Sequence, residues 1–157
     1  MIENLFEEAR EELKRADHLV FVSLKYTRTI DVLASIIQRL INSCDFAIDA
    51  LIEFSNKRKK DKTVSKIYKV KAEFIKGKFK KNEMIIEFIE FSDFLRRILK
   101  AEHLKREEFR KNVTLTAMEG DVEVMQVNMD VIKDYYRRTC EYIDEISNMV
   151  LGVKSDD

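Results

Sequence analysis

The hydrophobic positions of this chain fall into blocks of different period, and one block is apolar around most of a helix. In Asp31–Phe54, DVLASIIQRLINSCDFAIDALIEF, the residues Leu33, Ile37, Leu40, Ile41, Cys44, Ile48, Leu51 and Ile52 recur at three- and four-residue steps, with Ile30 just before them. Val32, Ile36, Phe46, Ala47 and Ala50 widen that face, and Asp31, Ser35, Gln38, Asn42, Asp45 and Asp49 keep a narrow polar stripe. Such a helix is predicted to be central, with neighbours on several sides.

The blocks around it are amphipathic. Leu5, Ala9, Leu13, Ala16, Val20 and Leu24 predict a first helix over residues 3–25, with acids near its start where the helix dipole favours them. Thr27 and Thr29 punctuate its end, and Thr29 with Asp31 offers a cap for the central helix; a bent helix running on through 25–29 is the alternative. A thin stripe of Ile67, Val70, Phe74 and Ile75 predicts a short helix over 64–79, after a loop at 57–62. Asn82 reads as the cap of a second core helix reaching about His103 or beyond, with Ile85, Phe88, Phe91, Leu95, Ile98 and Leu99 on its main face. Asn128 reads as the cap of a last helix, with Ile132, Tyr135, Thr139, Ile143, Ile146 and Val150 on its buried face and Gly152 as its stop.

Between the last two helices the period changes to two. Val113, Leu115 and Ala117 alternate with Thr114, Thr116 and Met118, and Val122 and Val124 resume the alternation after Glu119–Gly120. This predicts a β-hairpin near 112–127, with Ala117 opposite Val122 and Leu115 opposite Val124. The expected fold is therefore mostly α: an antiparallel bundle of four or five helices with a small hairpin. It is expected to form one domain over residues 1–152, followed by a disordered tail at 153–157.

Composition supports that reading. The 157 residues include no proline and three glycines, so helices meet few breakers. Cys44 and Cys140 both fall on apolar helix faces and read as reduced core thiols. The opening MIENLFEEAREELKR is acidic and amphipathic rather than a signal sequence, and no uncharged apolar run approaches a membrane span. These features point to a cytoplasmic protein with no membrane partner.

The overall charge is zero, yet it is unevenly placed. Residues 57–81 hold twelve Lys or Arg against Asp61 and Glu73, a net of +10 that leaves −10 on the rest. Lys57, Arg58, Lys59, Lys60, Lys62, Lys66 and Lys69 are the candidate nucleic-acid-binding residues, because clustered lysines neutralise phosphates even in a neutral protein. Tyr68, Phe74 and Phe79 are interleaved with them and are candidates to stack on bases. The dominance of Lys over Arg argues against fine base readout. An acidic protein is the other partner such a segment fits.

Other chemistry is sparse. Two separate cysteines and two distant histidines, His18 and His103, lack metal-ligand spacing, and nothing in the pattern asks for a cofactor. Asp45, Asp49 and Glu53 step along one helix stripe and read as a solvated polar face. The candidate catalytic residues are Arg97 and His103, which have five residues between them.

That spacing fits the Arg-x4–6-His motif of HEPN ribonucleases, although the residue after the Arg, usually polar there, is Ile98 here. At RADHLVFVSLKYTRTIDVLASIIQRLINSCDFAIDALIEF, and again at Phe109–Tyr136, the chain resembles archaeal helical proteins. Its first two helices look distantly like the HEPN superfamily, through the run Ser43 to Leu51 with Ala47 and Ala50. The resemblance implies an antiparallel bundle that often dimerises and has RNA-directed relatives. Surface accounting also predicts a homodimer, since the apolar faces of the two long helices and the hairpin edge exceed what neighbours in the chain can cover.

The expected function is thus a non-enzymatic binding or interaction module using segment 57–81. The alternatives are a metal-independent endoribonuclease using Arg97 and His103, and a purely structural homodimeric protein.

Overall fold

The computed structural model describes residues 1–56 and 65–152. The predicted loop at 57–62 and the reading of the tail lie outside the described residues. The fold is mostly helical, with one small three-stranded antiparallel sheet.

Helix α1 (Ile2–His18) buries Phe6, Ala9, Leu13 and Ala16. It passes without a break into a π-helical turn, Leu19–Ser23, and a short α2, Leu24–Tyr26. The π-turn has a reason in the spacing. Ala16, Val20 and Leu24 are four residues apart, and all three are buried. An α-helix at 3.6 residues per turn would rotate the third away from the first; a wider turn keeps them aligned. The chain then becomes extended at Thr27 and Thr29, so the bent continuous helix through 25–29 does not form.

Helix α3 (Ile30–Ser55) is the centre. Its neighbours include α1, the sheet and the later helices, and Leu33, Ile36, Ile37, Leu40, Cys44, Ala47, Ile48, Ala50 and Leu51 are fully enclosed. Thr29 caps it, its Oγ1 accepting from Val32 N at 3.3 Å. A second group completes this end from far along the chain: Glu108 Oε2 accepts from Ile30 N at 3.0 Å. Next to it, Phe109 N donates to Arg28 O at 2.6 Å. Glu107 and Phe109 hold positive φ, 52° and 69°, which costs a non-glycine residue steric energy, and Phe109 is 73% exposed. Buried Ser43 is satisfied by donating to Ala9 O at 2.9 Å, at the α1–α3 contact.

Helix α4 (Tyr68–Lys78) is shorter than the predicted 64–79. Helix α5 (Glu83–Lys100) starts where Asn82 Oδ1 accepts from Ile85 N at 3.2 Å. It stops earlier than the predicted His103, because Ala101 turns to extended geometry at ψ 162°. Residues Glu102–Arg106 then form strand β1, so His103 lies on a strand. With β2 (Thr114–Glu119) and β3 (Val122–Val127) this makes a sheet of order β1-β2-β3, not a lone hairpin.

The predicted hairpin register is corrected too. Ala117 faces Met125 and Leu115 faces Val127, with a bulge beyond Ala117. The turn is Gly120–Asp121 rather than Glu119–Gly120: Gly120 takes the positive φ of 63°, and Glu119 stays in the strand opposite Val122. Val113, Leu115 and Ala117 are fully buried as expected, whereas Val122 is exposed.

Helix α6 (Met129–Leu151) closes the bundle. Asn128 Oδ1 accepts from Val131 N at 2.9 Å, and Gly152 ends the helix in the left-handed region. Its Tyr135 and Tyr142 pack against Phe88, Phe91 and Phe94 of α5 with ring centroids 5.5–6.2 Å apart. Among the described residues no helix is long and apolar enough to cross a membrane.

Candidate anion-binding site

The polar stripe of α3 is where α4 and α5 meet it. Helix α4 brings little apolar surface: Ala72 and Ile75 are buried, but Ile67 is 64% and Val70 44% exposed, contrary to the predicted stripe. Polar anchors add to this packing. Lys71 Nζ binds Asp49 Oδ1 at 2.7 Å. The Tyr68 hydroxyl donates to Asp93 Oδ1 at 2.6 Å and accepts from Ser92 Oγ at 3.0 Å. Burial, then the Asp93 carboxylate, pushes the Tyr68 hydroxyl pKa well above its ordinary value. Arg96 stacks on the Tyr68 ring, its guanidinium carbon 3.6 Å from the centroid, and pairs with Asp45. Burial raises the Asp45 pKa, and the Arg96 contact opposes that rise.

Beside these anchors α3, α4 and α5 line a half-open pocket of about 710 Å³. Ile41, Ala72 and Leu99 supply its apolar lining, and Gln38 adds a side-chain amide. Lys69, Lys76, Arg96 and Lys100 bring four cations, against the acids Glu73 and Asp93. Arg96 is committed to Asp45, and its Nε is buried without a hydrogen-bond partner among the described residues. The three lysines make no ion pair among the described residues. A shallower hollow of about 640 Å³ at the α4–α5 turn gathers Lys78, Lys80 and Lys81.

Of the predicted nucleic-acid-binding residues, Lys69 lines the pocket and Lys66 is exposed just before α4. Lys57, Arg58, Lys59, Lys60 and Lys62 lie outside the described residues. The interleaved aromatics are less free than their spacing suggests. Phe74 and Phe79 pack against the core, and Tyr68 has one face under Arg96. Asp45 and Asp49 are ion-paired rather than simply solvated, and no acidic or histidine–cysteine group among the described residues could hold a metal. Arg96, Lys76 and Lys100 were missed as site residues. For Arg96 alone a signal was available, the pair Asp45 and Asp49 on an otherwise apolar helix, since half-buried carboxylates need cations opposite them.

The candidate catalytic residues are each engaged elsewhere. Arg97 donates from Nε and Nη2 to the two oxygens of Glu119 at 2.9 and 2.8 Å, and this holds the Glu119 pKa below its ordinary value. His103 Nε2 lies 2.9 Å from Ile98 O, a contact in which the ring nitrogen must donate. His18 is exposed at the end of α1. Cys44 is buried and Cys140 half-buried, and both are free thiols.

Fold and site together define a helical module with a basic, partly apolar pocket on one flank. No family model matches the chain, and neither a curated protein nor a solved structure matches it.

Proposed function

We propose that this chain is a non-enzymatic, cytoplasmic binding module that engages nucleic acid through its basic segment 57–81 and the adjoining end of α5. The observation that carries this reading is one pocket that groups Lys69 and Lys76, from a segment of +10 on a chain otherwise at −10, with Lys100 of α5, none of the three making an ion pair among the described residues. Four cations against two acids leave the pocket lining net positive, which favours a bound polyanion that releases its counterions on binding. A second hollow at the α4–α5 turn gathers Lys78, Lys80 and Lys81 of the same basic segment. Free thiols at Cys44 and Cys140 fit a reducing compartment.

The test is fluorescence anisotropy with labelled RNA at low salt. Binding should weaken steeply as salt rises, and reversing Lys57, Lys59, Lys60 and Lys62 to Glu should abolish it while the helical circular dichroism spectrum is kept. Wild-type protein that binds neither RNA nor DNA at low salt overturns the reading and leaves an acidic protein as the partner to seek. RNA cleavage without metal, lost in His103→Ala, would support the HEPN-like endoribonuclease instead.

The module is further proposed to act as a homodimer. Phe21, Tyr26, Leu104, Phe109 and Val122 are exposed apolar or aromatic residues, and β1 and β3 are the sheet's open edges among the described residues. Sedimentation at micromolar concentration should give twice the chain mass; a single species near 18.6 kDa refutes the dimer.

A further inference from the structure

The pocket between α3, α4 and α5 is too large for a phosphate alone and has the wrong lining for one. Its volume of about 710 Å³ falls within the range of roughly 300–1,000 Å³ usual for sites that enclose an organic molecule. Lys69, Lys76 and Lys100 suit an anionic group, whereas Ile41, Ala72 and Leu99 suit an apolar or flat one. Two further features favour a flat, heteroatom-edged body. The Arg96 guanidinium, backed by the Tyr68 ring at 3.6 Å and fixed by Asp45, is a rigid planar cation in the pocket wall. Gln38 spends one N–H on Asn42 Oδ1 at 2.8 Å, leaving its carbonyl and second N–H for a ligand edge.

We propose that this pocket takes one unpaired nucleotide of a single strand, a proposal that rests on the nucleic-acid reading above. The phosphate is met by the three lysines. The base lies against the apolar lining and the Arg96–Tyr68 pair, with its edge toward Gln38. Bases are accommodated on guanidinium planes and apolar walls in this way only when they leave the helical stack. A duplex can offer the lysines its phosphates but cannot place a base in the pocket. The module therefore selects single strands, without reading sequence finely.

The experiment compares three labelled RNAs of equal phosphate number at low salt: a single strand, a duplex, and the single strand with abasic sites. The single strand should bind about tenfold tighter than the other two, the scale of one stacked base. Gln38→Trp, at an exposed position, fills the pocket and should remove that preference. Leu99→Trp does the same from α5, and circular dichroism checks the fold of both. As an independent readout, adenosine monophosphate should shift the Tyr68 ring resonances where inorganic phosphate does not. Equal affinity for the three RNAs, or a preference that survives both Trp variants, overturns the proposal and leaves the nucleic-acid reading standing. Failure to bind all three overturns both.

Discussion

Replacing Glu12 by Gln should destabilise the fold on the order of 2–3 kcal/mol near neutral pH, and the deficit should vanish in acid. Glu12 lies on α1, is only 5% exposed, and faces α3. Its carboxylate accepts from Asn42 Nδ2 at 2.6 Å and from Arg39 Nη1 at 3.3 Å to both oxygens, and pairs with Arg15. A charged hydrogen bond contributes about 1.5–3 kcal/mol and a neutral one about 0.5–1.5, so weakening the Asn42 contact alone costs roughly 1–2. Gln must also turn an amide donor toward a guanidinium, which adds to the loss. The arginine contacts add less, because both side chains are about half in water.

Burial works to raise the Glu12 pKa, but the hydrogen bonds from Asn42, Arg15 and Arg39 together outweigh it and hold the value below the ordinary one. The unfolded chain then takes up the proton first. Glu12 contributes fully above the unfolded value of about 4.3, and its contribution is lost as pH falls through the lower folded value. Urea denaturation of wild type and Glu12→Gln, followed by circular dichroism from neutral pH into acid, checks both parts. A variant as stable as wild type at neutral pH, or a deficit that does not shrink in acid, would refute the reasoning.

Ile37→Ala and Ile48→Ala remove fully enclosed side chains of α3 and should each cost about 2–5 kcal/mol, whereas exposed Ser35→Ala should cost little. Chemical denaturation that ranked the three alike would displace α3 from the centre. Phe109→Asn should stabilise by about 1 kcal/mol, since Asn tolerates the left-handed backbone that Phe109 occupies while exposed. A lower melting temperature in that variant would mean that the Phe109 ring makes a contact worth more than its backbone strain.

Local chemistry made much of the fold legible. Thr29, Asn82 and Asn128 cap the helices that follow them, and Gly152 ends the last one, because a cap needs only a side chain and an amide two or three residues away. The period of α3 declared its burial on several sides. Strand β1 was not legible. In EHLKR only Leu104 is apolar, and the segment becomes a strand because β2 has a free edge beside it. Apolar matching gives the wrong hairpin register because the positive φ of Gly120 fixes the turn. Lys69 was legible within the basic run. Its companions Lys76 and Lys100 join it only where three helices converge, and no spacing along the chain records that.

The contact between Glu108 and Ile30 bears on the order in which the molecule assembles. Helices α1 and α3 are close in sequence and can pair early, as low-contact-order elements do. Ile30 N, in the first turn of α3, waits for a carboxylate 78 residues downstream. That carboxylate is in place only once the chain has closed a long loop and returned through β1. The earliest helix pair is thus finished last at one end. On a ribosome the opening segment would keep a frayed turn at Arg28–Ile30 until the sheet emerged and docked on it.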